Sequence, residues 1–101
     1  MDVSHTALAC TYFGWDLYKY LEQVAPYTAH YHIADARGNS GEGLQIGEGE
    51  INFEKVFTIM KSLSPHASWI PEIWQGHKND GEGFWLALER LTSILKLSLK
   101  K

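Results

Sequence analysis

The fold is decided around one short stretch, Thr28-Ala29-His30-Tyr31-His32-Ile33-Ala34, which has the length and composition of a β-strand. Before it, apolar residues recur at helical spacing from residue 17 to 24, and Pro26 stands just beyond them. After it, the same spacing recurs from residue 53 to 60, with Asn52 placed to cap that helix. The central stretch is therefore predicted to be a strand between two helices.

The pattern repeats toward the end of the chain. The run Trp69-Ile70-Pro71-Glu72-Ile73-Trp74 has strand composition, and apolar residues from 84 to 95 predict a third helix. Strands that alternate with helices pair in parallel through right-handed crossovers, so we predict an α/β fold with helices covering the sheet. Because Pro71 has no backbone N–H, we expect this strand to bulge or fray just before Glu72.

Long segments follow the predicted strands and are expected to be loops. Residues 6–15 are apolar and aromatic, residues 37–51 are rich in glycine, and residues 75–83 are polar. In a β/α barrel the strand-to-helix loops build the active face, so we expect these three to serve binding.

Three residues at predicted strand ends, Asp2, His32 and Glu72, recur at intervals of 30 and 40 positions. One strand-plus-helix unit is roughly 30 or more residues long. The carboxyl ends of parallel strands lie side by side, so this spacing gathers the three side chains at one point. An aspartate, a histidine and a glutamate together favour a divalent metal ion.

Other polar residues leave two interpretations open. His30 shares a face with His32 but lies one layer deeper, where it packs or supports a hydrogen bond. Arg37 either pairs with a substrate oxygen or is a solvated loop residue.

Residues 41–50 superficially resemble a phosphate-binding loop, but their acidic residues favour a tight turn instead. His5, three positions after Asp2, is weak evidence when taken alone.

The composition limits the class of protein. With 101 residues the chain is one domain at most, and its formal net charge of −3 argues against a broad nucleic-acid surface. The single cysteine, Cys10, excludes an internal disulfide and is more typical of an apolar core residue than of a catalytic thiol. No apolar run has the length of a membrane span, and no signal peptide is visible, so we expect a cytoplasmic protein without membrane contact.

Four segments together resemble the xylose isomerase-like barrel superfamily, the sugar phosphate isomerase/epimerase group. They follow one another in that group's order over nearly the whole chain. Residues 2–5 resemble its sixth-strand Asp-x-x-His, and residues 30–38 resemble its seventh-strand motif. Residues 46–53 resemble its Gly-x-Gly-x-Ile-Asn/Asp-Phe turn, and residues 71–73 resemble its eighth-strand glutamate.

The resemblance implies a fold and a set of roles. The 101 residues would form the last three βα units of a (β/α)8 TIM barrel, as its C-terminal part. Asp2, His32 and Glu72 would be metal ligands, for Mn²⁺, Mg²⁺ or Co²⁺, with Zn²⁺ also compatible. His5 and Arg37 would contact a sugar or sugar phosphate. Glu72 would also act as an acid/base carboxylate in proton transfer next to a carbonyl, through an enediolate.

The chain departs from that group at one point. The fourth ligand, a fifth-strand glutamate that is also the second acid/base group, has no counterpart here, and a whole barrel needs about 250 residues. We therefore expect a fragment that is inactive alone, marginally stable, and prone to form a homo-oligomer or to pair with a complementary barrel fragment.

Other functions remain as alternatives. A related sugar dehydratase would use the same metal and base. A non-catalytic remnant would instead bind only a partner or a polyol. The aromatic residues that could line its pocket are Tyr12, Phe13, Trp15, Trp74 and Trp85. An endonuclease-IV-like phosphodiesterase is disfavoured by the acidic balance and the few ligands. Dependence on a metal separates the remnant from the others.

Overall fold

The computed structural model describes residues 1–99, which form four α-helices and four short strands. In chain order the elements are α1 (Val3–Phe13), α2 (Leu17–Val24), a 3₁₀ turn (Ala25–Tyr27), β1 (His30–Ile33), β2 (Asp35–Arg37), β3 (Gly41–Leu44), α3 (Phe53–Leu63), β4 (Ser68–Pro71) and α4 (Lys78–Leu99). The helices predicted at residues 17–24 and 53–60 are confirmed as α2 and α3. Both predicted strand stretches contain a strand, β1 and β4.

A small parallel sheet holds the three parts of the chain that carry the predicted metal ligands. β1 and β4 pair in parallel, with His30 opposite Ser68 at the start of the register. On the other side of β1, Asp2 forms a parallel bridge with His32, whose N–H donates to the carbonyl of Met1 at 2.7 Å. The α/β class with parallel pairing is confirmed, and β1 lies in the middle.

The alternation of side chains along β1 separates a core face from an open face. Tyr31 and Ile33 are buried, whereas His30 is exposed and His32 half-buried on the opposite face. Because successive strand residues point to opposite sides, the histidines cannot enter the core that Tyr31 and Ile33 occupy. The helices cover that core with Leu21, Val56, Phe57, Met60, Ala87 and Leu91.

The loop predicted over residues 6–15 is wrong, because most of this segment belongs to α1. Asp2 caps the helix by accepting a hydrogen bond from the N–H of His5, and Gly14 ends it with a φ of 71°. The buried residues of α1 are mostly small, among them Ser4 and Ala7. A stripe of small residues gives little hydrophobic periodicity, so the helix was not visible in the pattern.

The glycine-rich segment after β1 is only partly a loop. β2 and β3 form an antiparallel hairpin in which Asp35 lies opposite Leu44 and Arg37 lies opposite Gly41. The sequence of β3, Gly-Glu-Gly-Leu, contains no β-branched or aromatic residue, so strand propensity did not indicate it. The prediction of a loop is wrong for β3.

The bulge or fraying expected just before Glu72 does not occur. Pro71 continues the register opposite Ile33, and the N–H of Glu72 then donates to the carbonyl of Ile33 at 2.9 Å. Among the described strands β4 pairs with β1 alone, and a proline is compatible with such an edge position. Glu72 is therefore held at the end of a regular strand.

The third predicted helix is confirmed within α4. Its first turn departs from helical geometry, since Asn79, Asp80 and Gly81 have φ values of 53°, 60° and 83°. The regular part of α4 thus contains the predicted apolar positions of residues 84–95. Over residues 1–99, no helix is both long enough and apolar enough to cross a lipid bilayer.

Candidate metal centre

Three polar side chains from separate segments meet at the carboxyl end of the parallel sheet. Asp2, His32 and Glu72 each present one ligand atom, and these three atoms lie within 4.8 Å of one another. The Nδ1 atom of His32 contacts the Oε2 atom of Glu72 directly. The side chains are 36 %, 44 % and 59 % exposed in chain order, so an ion from solvent has access to all three.

The parallel register explains why residues 30 and 40 positions apart come together. Asp2 is bridged to His32 across one edge of β1, and Glu72 follows β4 on the other edge. All three therefore occupy the same end of three neighbouring strand segments, as the spacing predicted.

The three residues line a cavity of about 220 Å³. This volume is smaller than a drug-sized pocket, so it suits an ion with waters or a small polar molecule. The other lining residues are Ser4, His5, Ala34, Glu42, Gly43, Ile73 and Trp74.

His5 is held between two carboxylates at the rim of this cavity. Its Nδ1 lies 3.0 Å from Oδ2 of Asp2, and its Nε2 lies 2.5 Å from Oε2 of Glu42. The hydrogen bond and the charge of Asp2, followed by those of Glu42, raise the pKa of His5. Both ring nitrogens of His5 are therefore engaged by carboxylates of the protein, and contact between His5 and a substrate stays a prediction.

A pH dependence follows from the raised pKa of His5. Protonated His5 is stabilised in the folded state, so its contribution to stability is present below about pH 6.5, the ordinary histidine pKa. That contribution is lost as the pH rises through the raised pKa.

We expect the substitution Asp2→Asn to lower the pKa of His5 relative to the unaltered chain. Asparagine still caps α1 through its single oxygen, but its NH₂ group cannot accept a hydrogen bond from Nδ1 of His5 and it carries no charge. Both contributions of Asp2 to the shift are therefore removed while the helix end is kept. NMR titration of the His5 ring signals in metal-free protein measures this. Glu42→Gln is the comparison and should lower the pKa less; an unchanged His5 pKa in Asp2→Asn would contradict the assignment.

The glycine-rich loop that follows the hairpin is organised around the carboxylate of Asp35. This carboxylate is buried, and its Oδ2 accepts hydrogen bonds from the N–H groups of Gly47 and Gly49, both at 2.9 Å. Its Oδ1 accepts from the N–H groups of Ala36 at 2.9 Å and Ile51 at 3.1 Å. The loop thus surrounds an anion that belongs to the protein, which supports the tight-turn interpretation over a phosphate-binding loop.

The hairpin is also attached to the segments on both sides of the cavity. The N–H of Gly43 donates to Oγ of Ser4 at 2.9 Å, and that hydroxyl donates to the carbonyl of Asp35 at 3.0 Å. On the other side, the N–H of Trp74 donates to the carbonyl of Gly43 at 2.9 Å. Gly43 therefore joins the segment after Asp2 to the segment after Glu72.

Two further candidates from the sequence, Arg37 and His30, are not among the described residues that line the cavity. The Nη2 atom of Arg37 donates to the carbonyl of Glu48 at 2.8 Å. His30 lies below the ligands, and its Nδ1 pairs with Oγ of Ser68 at 2.6 Å. The sequence placed His30 one layer deeper than His32 and predicted packing or a supporting hydrogen bond there. The contact with Ser68 is such a hydrogen bond.

The five aromatic residues considered for a sugar pocket lie in three different places. Trp74 lines the cavity and is 74 % exposed. Tyr12, Phe13 and Trp15 contact one another in sequence, with ring centroids 5.1 and 5.0 Å apart, at the end of α1. Trp85, on α4, is 61 % exposed and contacts Phe84, so Trp74 alone of the five lines this cavity.

No family model matches the chain, and neither a curated protein nor a solved structure matches it.

Glu42 and Ser4 are the site residues that the sequence did not reveal. Glu42 stands between two glycines in a segment predicted to be a loop, and Ser4 lies inside a helix that the pattern missed. The available signal for Glu42 was a carboxylate placed between two glycines, soon after the strand that contains His30 and His32. No sequence signal indicated Ser4, since its role depends on contacts with residues 31 and 39 positions away.

Proposed function

We propose that this chain binds a divalent metal ion through Asp2, His32 and Glu72, as the metal-binding part of a xylose isomerase-like barrel that acts on a sugar or sugar phosphate. The observation that carries the proposal is the approach of the three ligand atoms to within 4.8 Å from three separate segments. The parallel pairing of β1 with β4, and the bridge between Asp2 and His32, hold these groups at one end of the sheet.

The donor set fits a divalent cation. One imidazole nitrogen and two carboxylate oxygens suit hard to borderline ions, which include Mn²⁺, Co²⁺, Mg²⁺ and Zn²⁺. Two carboxylates that share one small cavity repel each other, and a cation bound between them would remove that repulsion. All three groups also have enough exposure to exchange ligands with solvent.

The proposed reaction is isomerisation or epimerisation next to a carbonyl group. A bound cation would supply Lewis acidity toward that carbonyl oxygen. The carboxylate of Glu72, at the end of β4, would move the proton on the neighbouring carbon. Because the chain contains no counterpart of the fifth-strand glutamate, the 101 residues alone are expected to bind the metal without normal turnover.

The open face of the sheet fits this proposal. His30, Ser68 and Ile70 are exposed on the same side as His32, and Ile70 is 42 % exposed. In a closed barrel this face would line the interior, so its exposure is what a part of a barrel would show. A homo-oligomer or a complementary barrel fragment would supply the missing cover.

We expect Glu72→Gln to weaken Mn²⁺ binding by about 100-fold or more, because loss of a residue that only orients a metal ligand already costs about 10- to 100-fold and Glu72 is itself a ligand. Glutamine keeps the size of the side chain but loses the charge that the ion needs. Isothermal titration of the full chain with Mn²⁺ measures the affinity. Glu48→Gln is the matched control, since Glu48 is exposed and does not line the cavity.

Two results would contradict the proposal. One is the absence of saturable Mn²⁺ binding by the unaltered chain. The other is Mn²⁺ binding that is equally strong in the Glu72→Gln and Glu48→Gln variants, which would indicate adsorption to the acidic surface.

A further inference from the structure

We propose that Glu42 is a positioning residue that holds His5 against Asp2 and so fixes the carboxylate of Asp2 for metal binding. This inference rests on the proposed metal site and assigns a role to a residue outside the three ligands. It extends the site to the β2–β3 hairpin, which carries Glu42 over the cavity.

A continuous chain of polar contacts runs from Glu42 to Asp2. Oε2 of Glu42 lies 2.5 Å from Nε2 of His5, and Nδ1 of the same ring lies 3.0 Å from Oδ2 of Asp2. The other oxygen of Asp2 accepts the backbone N–H of His5 at 2.9 Å. Rotation of the His5 ring would break both carboxylate contacts, so Glu42 restrains the ring and the ring restrains Asp2.

The backbone fixes the position of Glu42 itself. Its neighbour Gly43 is bonded through its N–H to Ser4 and through its carbonyl to Trp74. Gly43 has a φ of 63°, and a Cβ there would lie 3.2 Å from the Cβ of Trp74, so a larger residue would be both strained and crowded at this position. Glu42 is thus presented to His5 from a part of the chain anchored on both sides.

A positioning role for Glu42 and a structural one differ in their expected effects on metal affinity and on folding stability. The side chains of His5 and Glu42 are 63 % and 59 % exposed. An exposed ion pair contributes little to folding stability, because solvent screens it. Partners that orient a metal ligand, in contrast, commonly change metal affinity by about 10- to 100-fold when removed. Loss of Glu42 should therefore weaken metal binding while the protein remains folded.

The test compares Mn²⁺ affinity of the full chain with that of its Glu42→Ala and Glu42→Gln variants, by isothermal titration. We expect Glu42→Ala to weaken binding by at least about 10-fold. Glutamine retains an oxygen that accepts from Nε2–H of His5, so Glu42→Gln should bind within about threefold of the unaltered chain. Glu48→Gln again controls for the loss of one negative charge.

A second comparison asks whether Glu42 acts through His5. In a His5→Ala background the Glu42→Ala substitution should cause no further loss of affinity, because residues that act as one unit are not additive. NMR signals of the His5 ring nitrogens in metal-free protein should shift in Glu42→Ala. A purely structural role would not produce this pattern.

Several outcomes would overturn the inference. Unchanged Mn²⁺ affinity in Glu42→Ala, with a clear loss in Glu72→Gln, would remove the role of Glu42 and leave the metal site intact. Equal losses in Glu42→Ala and Glu42→Gln would show that charge alone matters. Absence of Mn²⁺ binding in the unaltered chain would instead refute the metal site itself.

Discussion

Replacing Asp35 with asparagine is expected to destabilise the protein by about 3–5 kcal/mol, since several hydrogen bonds to a buried charged acceptor are lost together. Each oxygen of Asp35 accepts two backbone N–H groups. An asparagine side chain can present only one oxygen, whichever way its amide is turned. Its NH₂ group would then face two N–H donors that have no other partner among residues 1–99.

Urea denaturation followed by circular dichroism measures this loss of stability. Glu50→Gln is the matched control, because the Glu50 carboxylate is exposed and accepts a single N–H, from Gly38 at 3.2 Å. It should change the free energy of unfolding by less than about 1 kcal/mol. Equal stability of Asp35→Asn and Glu50→Gln would show that the buried carboxylate does not organise the loop.

Replacing Gly49 with alanine is expected to cost about 3 kcal/mol or more, through overpacking. A Cβ at this position would lie 2.6 Å from Cγ of Asp35 and would also overlap the carbonyl oxygen of Ala36. Neither group can move easily, because Asp35 is buried and Ala36 is part of β2. The loop would have to leave the Asp35 carboxylate, so its hydrogen bonds would weaken as well.

Gly47→Ala separates this steric effect from backbone strain. Gly47 has a φ of 94°, but a Cβ there would meet no atom within 4 Å. Its cost should therefore be limited to the conformational penalty of a positive φ, about 1–2 kcal/mol. Thermal or urea unfolding of the two variants should rank Gly49→Ala as clearly less stable; the reverse order would contradict the packing seen at Asp35.

The parts of the fold that the sequence predicted are those with a local signal. α2 and α3 show one-sided apolar spacing and polar N-caps, and β1 shows a short apolar run. The meeting of Asp2, His32 and Glu72 was also predictable, because the length of a βα unit determines which strand ends lie side by side. The metal itself stays a prediction.

The parts that the sequence did not predict depend on contacts between distant residues. The hairpin strand β3 is formed by a Gly-Glu-Gly segment that has no intrinsic tendency to be a strand. It is held by Ser4 and Trp74, which lie far from it in sequence. The pairing of Glu42 with His5 follows from that placement, so no local pattern could have indicated it.

The carboxylate of Asp35 limits which ligand groups the glycine-rich loop can bind. Glycine-rich backbone is a common way to recognise anionic groups, through N–H donors that point to one place. Here the N–H groups of Gly47, Gly49 and Ile51 all donate to Asp35. A ligand phosphate would compete for these donors against a carboxylate that is covalently attached and always present. If the ligand is a sugar phosphate, its phosphoryl group must be recognised elsewhere.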